Sequence, residues 1–211
     1  MAAKNRITLE RIKKRIHDAC RQGDGAMVES LIARENVDVN SFLQGWTFLQ
    51  TAMCHDQPSV VASLLANPDS RLDVRDGARG RTGLHWACLM NSFSVIPVFT
   101  KDGRCNSDIL NMKDDDGEAA LMIAVRRGNI FCVNELQKLE GIDFGTENMA
   151  GETVQEVAEK CSKNGIITFL EQNIQARKSS FHENKYVLMP EKDVQNPYQE
   201  TPPSYFEAVK M

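Results

Sequence analysis

Gly80-Arg81-Thr82-Gly83-Leu84-His85-Trp86-Ala87 is the stretch on which the fold turns, because its glycine, threonine and alanine return along the chain at a nearly fixed stride. The glycine recurs as Gly45, Gly80, Gly117 and Gly151, and the position two later holds Thr47, Thr82, Ala119 and Thr153. Five residues further on stand Ala52, Ala87, Ala124 and Ala158, separated by 35, 37 and 34 residues, and Ala19 lies 33 residues before Ala52. A period near 33 residues marks a solenoid in which each unit is one supersecondary element that buries its apolar face only against its neighbours.

Each unit reads as two helices. The threonine is placed to cap the first, its hydroxyl accepting from a backbone N–H that has no partner inside the helix. The alanine lets that helix lie close to its neighbours, where a larger side chain would push units apart. Four residues after the alanine comes a tight turn, at Gly23, Asp56, Asn91, Gly128 and Ser162. Glycine, asparagine and aspartate tolerate the left-handed backbone such turns use; serine does so less readily. The second helix carries an apolar face at helical spacing: Met27, Val28, Leu31 and Ile32, then Val60, Val61, Leu64 and Leu65. Val95, Ile96, Val98 and Phe99 follow, then Cys132, Val133 and Leu136, and finally Ile166, Ile167, Phe169 and Leu170. Pro58 falls at a helix start, where it is harmless, whereas Pro97 falls inside a helix that should therefore be short, bent or shifted.

The Gly80–Ala87 stretch is close to GxTPLHxA, and with the stride over residues 8–174 the chain resembles the ankyrin-repeat family. Gly45-Trp46-Thr47-Phe48-Leu49-Gln50-Thr51-Ala52 is a looser match, and no unit keeps the family's proline after threonine. The resemblance implies an all-α solenoid of about five helix–turn–helix repeats with short finger hairpins. The expected partition is a flexible N-terminus at 1–7, repeats at 8–40, 41–75, 76–111, 112–144 and 145–175, and a disordered tail at 176–211. Loops at Asp38–Asn40, Asp73–Gly77 and Asn111–Asp114 resemble the fingers, and an insertion is expected around Cys105–Leu110. The first helix is expected to start near Thr8, with Leu9, Ile12, Ile16 and Ala19 inward. Arg11, Lys13, Lys14 and Arg15 then read as the solvated face of a capping helix, with nuclear import or lipid binding as the alternative.

The resemblance also implies a protein-binding face made of fingertips and first-helix positions. Carried over residue by residue, it offers Phe42, Trp46, Arg75, Arg79, Arg81, Asp114, Asp115 and Asp116 from fingers. From first helices it offers His55, Trp86, Met90, Arg126 and Arg127. Aromatic and arginine side chains dominate interface energies; packing between repeats is the alternative for Trp86.

No catalytic constellation is present: there is no GxGxxG, P-loop, HExxH or GxSxG. Lys113-Asp114-Asp115-Asp116-Gly117 lacks the ligands of an EF-hand loop and reads as an acidic fingertip. His17/Cys20 and His85/Cys88 have zinc-like HxxC spacing, but they occupy packed repeat positions where cysteine acts as a small hydrophobe. No metal or cofactor is expected, and His85 is expected to bond neighbouring backbone. A net charge of −4 gives no footprint for nucleic acid. No apolar run approaches the roughly 18 residues of a membrane span, and no signal core precedes the repeats, so cytosol or nucleus is the expected compartment. A monomer is expected.

Four of the seven prolines and all three tyrosines lie after Ala176. Thr201-Pro202-Pro203-Ser204-Tyr205 contains PPxY, the core ligand of WW domains: Pro202 and Pro203 pre-form an extended helix and Tyr205 fills a second pocket. Tyr186-Val187-Leu188-Met189 fits a tyrosine-sorting signal or, phosphorylated on Tyr186, a docking site with Met189 as its apolar residue. Val209-Lys210-Met211 could add a strand to a PDZ domain. Two functions follow. One is an adaptor holding one protein on its repeats and recruiting a WW-domain protein, such as a ubiquitin ligase or signalling co-regulator, through its tail. The other is a stoichiometric inhibitor, similar to the ankyrin inhibitors of NF-κB-type factors, with the tail incidental.

Overall fold

A computed structural model describes residues 2–163, 165–168 and 170–171. Its helices are α1 (Ala2–Gln22), α2 (Gly25–Glu35), α3 (Phe48–Cys54), α4 (Pro58–Leu65), α5 (Gly83–Met90) and α6 (Ile96–Thr100). They continue with α7 (Ser107–Leu110), α8 (Ala120–Arg127), α9 (Ile130–Gln137) and α10 (Val154–Lys160), and residues 165–168 and 170–171 are helical beyond it. Strands β1 (Phe42–Leu43) and β2 (Trp46–Thr47) form an antiparallel hairpin with Phe42 opposite Thr47.

Two layers of helices result. α1, α3, α5, α8 and α10 pack in succession in one layer, and α2, α4, α6 and α9 in the other. The alanines of the stride explain the inner layer: Ala19, Ala52, Ala87, Ala124 and Ala158 are all fully buried. Each sits where neighbouring first helices approach, so an added side chain would separate them. Between the layers lie Val28, Leu31, Val60, Leu64, Phe99, Val133 and Leu136. Met27, expected on this apolar face, is instead 44% exposed at the first turn of α2, while Val28 takes the buried place.

The five turn residues all adopt positive φ: 81° at Gly23, 53° at Asp56, 62° at Asn91, 78° at Gly128 and 53° at Ser162. Ser162 thus conforms despite its side chain. Its N–H donates to Glu159 O (2.9 Å) and Lys163 N–H to Ala158 O (3.0 Å), closing the helix end that forces the conformation. Side chains from the following unit tie these turns together. Gln57 Nε2 donates to Arg21 O, Ser59 Oγ to Gly23 O, Ser92 Oγ to Cys54 O and Asn129 Nδ2 to Cys88 O, at 2.7–3.0 Å.

Three expectations shift, one of them Leu9 on α1, which is 41% exposed rather than inward, while the short helix expected at Pro97 is found. α1 begins at Ala2 rather than Thr8, because no glycine or proline interrupts residues 2–7 and alanine and lysine propagate a helix well. α6 has five residues and starts just before Pro97, which removes one donor and therefore belongs in the first turn. The first hairpin is at Phe42–Thr47, downstream of Asp38–Asn40. Asn40 instead braces the next loop, donating to Asp69 O (2.8 Å) and accepting from Arg71 N (2.9 Å). Asn111 repeats the device with Gly141 O and Asp143 N. The insertion expected near Cys105–Leu110 forms α7, capped by Asn106.

Candidate protein-interaction surface

The fingers are tight turns closed by backbone pairing: Asp76 N to Arg81 O (2.8 Å), Asp114 N to Glu118 O (3.0 Å) and Asn148 N to Glu152 O (3.0 Å). At the head of each turn one side chain satisfies the loop amides. Asp76 Oδ1 accepts from Ala78 and Arg79, Asp114 Oδ1 from Asp116 and Glu118, and Asn148 Oδ1 from Ala150 and Glu152. Burial opposes the charge on Asp76, but these amides and the Trp86 indole outweigh it and hold its carboxyl below the usual range.

Successive fingers are then laced together. Asp115 N–H donates to Arg79 O (2.9 Å) and Met149 N–H to Asp116 O (3.1 Å). Across the same gap Arg75 pairs with Asp115 (2.9 Å), Arg79 with Asp116 (3.1 Å) and Arg81 with Asp114 (3.1 Å). A side chain at Gly117 (φ 75°) would strike this lacing, since its Cβ would lie 2.7 Å from Met149 N.

The acidic fingertip and the basic stretch before it therefore partner each other instead of standing as separate patches. Asp114, expected on the surface, has a side chain with no exposure, and Arg81 is 12% exposed. The reason is local: one Asp114 oxygen caps its own turn and the other reaches the guanidinium behind it. The outer pairs remain open, with side-chain exposures of 61% at Arg79 and 62% and 56% at Asp115 and Asp116.

Trp46 and Trp86 stack with centroids 4.2 Å apart, the Trp86 indole donates to Asp76 Oδ2 (2.8 Å), and Arg81 lies over its ring at 5.7 Å. Both tryptophans are half-buried, and through this stack Trp86 packs between repeats. Arg126 binds Glu118 and approaches Glu152 (3.7 Å), which also pairs with Lys160. Phe42, Met90 and Arg127 are exposed. His55 is exposed and bonds Thr51 O through Nδ1 (2.9 Å). A groove of about 470 Å³ opens between fingers and first helices, bounded among others by Arg79, Asp116, Ile123, Arg126 and Met149.

Met149, 78% exposed at the lip of that groove, was missed by the sequence reading. Its finger carries no aromatic or arginine to draw attention, and only the lacing to Asp116 shows that it faces out. Phe93 and Phe131 were missed as well. They stack at 5.1 Å, Phe93 on the turn before α6 and Phe131 in the first turn of α9, both exposed, and belong to different repeats. Pro202, Pro203, Tyr205, Tyr186 and Met189 lie outside the described residues.

His85 has both ring nitrogens engaged. Nδ1 accepts from Thr82 N–H (3.1 Å), so Nε2 carries the proton and donates to Glu118 O (3.0 Å) in the next finger. Burial lowers its pKa, which favours this neutral form. Gln50 does the same work one unit earlier: Oε1 accepts from Thr47 N (2.8 Å) while Nε2 donates to Val74 O (3.0 Å) and Arg81 O (3.1 Å). Neither ring nitrogen of His85 is left for a metal. Cys20 is fully buried, which pushes its thiol up to about 12. Among the described residues no group of three or more His, Cys, Asp or Glu could hold a metal, and no helix is long and apolar enough to cross a membrane.

Comparison with curated proteins finds no match. A family model described as ankyrin repeats (3 copies) matches residues 16–108 and 60–148, together more than half of the chain. The buried alanines of the stride, the left-handed turns and the laced fingers fit such repeats, and the chain belongs to the ankyrin-repeat family, whose repeats generally mediate protein–protein interaction.

Proposed function

We propose that the chain is a non-enzymatic, monomeric adaptor of the cytosol or nucleus. Its repeat domain, taken as five units over 8–175, holds one protein partner, and the segment Pro202–Tyr205 recruits a WW-domain protein. The observation that carries the repeat half is what the finger lacing leaves accessible. Arg79, Asp115, Asp116, Met90, Phe42, Arg127 and Met149 remain exposed, while the buried charges are consumed within the fold. Mixed charge around exposed methionine and phenylalanine suits a specific polypeptide partner. The tail half is supported by PPxY within a proline- and tyrosine-rich segment. Two modest sites in one chain add avidity without new contacts.

The test uses the full chain, Tyr205→Ala and a version ending at residue 175, each titrated with a WW domain and each used for affinity capture. An adaptor loses WW binding at least about tenfold in both altered forms and keeps its repeat partner. Equal WW binding by all three forms would remove the tail from the mechanism and leave a stoichiometric inhibitor acting through the repeats. Phosphate on Tyr205 adds close to two negative charges where an apolar pocket expects a ring, and it should abolish WW binding as the alanine does.

A further inference from the structure

Residues 1–22 hold seven basic and two acidic side chains, a net of +5, so the remaining positions must carry −9 to give the whole chain its −4. A basic helix on an acidic protein is a marked charge asymmetry. The helix is α1, whose neighbour in the first-helix layer, among the described residues, is α3. Ile16, Ala19 and Cys20 face inward and are fully buried. On the opposite side Arg11, Lys14, Arg15 and Arg21 are exposed, and Ile7, 57% exposed, follows the same stripe at i, i+4, i+7 and i+8 spacing to Arg11, Lys14 and Arg15. Two acids share the face: Asp18, which approaches Arg21 at 3.6 Å, and Glu10. Among the described residues no carboxylate pairs with Arg11, Lys14 or Arg15.

We propose that the outer face of α1 docks on an anionic membrane surface, with Arg11, Lys14 and Arg15 against lipid headgroups and Ile7 at the boundary of the acyl region. A basic stripe with an exposed aliphatic side chain is the composition of an interfacial helix. A single convex helix offers no pocket for the anchoring side chain of a protein partner, whereas a flat anionic surface meets all three cations at once. With Ile16, Ala19 and Cys20 buried against the repeats, the outer face of α1 points away from their core. Charges more than about 8 Å from it are screened at physiological salt, so the −9 of the rest does not cancel the attraction.

Full-length protein is sedimented with vesicles of phosphatidylcholine alone and of phosphatidylcholine with phosphatidylserine, alongside Arg11→Gln/Lys14→Gln/Arg15→Gln and, separately, Ile7→Ser. Circular dichroism checks that each variant keeps its helices. Wild type should sediment only with phosphatidylserine and release as salt rises. Each neutralised cation weakens partitioning about fivefold, so the triple variant loses about a hundredfold. Ile7→Ser, at the exposed end of the helix, keeps the fold and loses a smaller factor that salt does not alter. Equal sedimentation with both vesicle types, or wild-type partitioning by the triple variant, overturns the proposal. So does binding to a soluble polyanion such as heparin without binding to vesicles.

Discussion

Replacing His85 with alanine would remove a side chain that is 1% exposed and joins two backbone segments. Thr82 N–H would lose its acceptor and Glu118 O its donor, both in buried surroundings. Each buried polar group left unpaired costs about 1–3 kcal/mol, and the space vacated by the ring adds about 1 kcal/mol. The expected loss is therefore about 3–7 kcal/mol, a large share of the roughly 5–15 kcal/mol of a typical domain. Glutamine at the same position should restore most of it, because Gln50 performs the same double role in the preceding unit. His85→Gln is expected within about 1.5 kcal/mol of wild type, the residual reflecting volume. Urea denaturation followed by far-ultraviolet circular dichroism gives both numbers. Hydrogen exchange should localise the alanine variant's loss to the junction of α5 with α8, since repeats are stabilised by their neighbours. If glutamine and alanine prove equally damaging, the bridge between units is not what His85 contributes. If alanine costs less than about 1 kcal/mol, the two groups were never deprived of water.

Two further outcomes follow from buried charge. Asp114→Ala strands the 12%-exposed Arg81 guanidinium and two loop amides, and should lower stability by about 3–5 kcal/mol. Asp116→Ala, which removes an exposed pair, should change it by less than about 1 kcal/mol; thermal melts of the two variants side by side decide the matter, and similar losses would contradict the assignment of Asp114 to the interior. Stability should also fall with mild acid through His17. Burial chiefly, then Arg21, lowers its pKa from 6.5 to about 4, so between those values the unfolded chain takes up a proton that the folded chain refuses. The contribution is complete above pH 6.5 and is lost as pH drops toward 4. With partial solvent screening the loss amounts to about 2 kcal/mol by pH 4.5. His17→Gln should flatten the stability profile over that window, and an unchanged slope would show that His17 is not the titrating group.

The stride of small residues determined the architecture before any coordinate was known. Ala19, Ala52, Ala87, Ala124 and Ala158 are buried and the five turn residues are left-handed because both requirements are local: a close helix approach excludes side chains, and a tight helix end demands one backbone conformation. Pro97 likewise announced a short α6, since a missing donor has the same effect wherever the chain goes. Which charges on the fingers would be free was not local. Arg81 and Asp114 are 33 positions apart and look equally exposed in the sequence. Only the stacking of one unit on the next brings the guanidinium over the carboxylate and withdraws both from water, while leaving Met149 at the lip of the groove. Residue types spaced along one chain fix what each unit can form; the accessibility of a side chain depends on what the neighbouring unit places against it, and that is a property of the assembled stack alone.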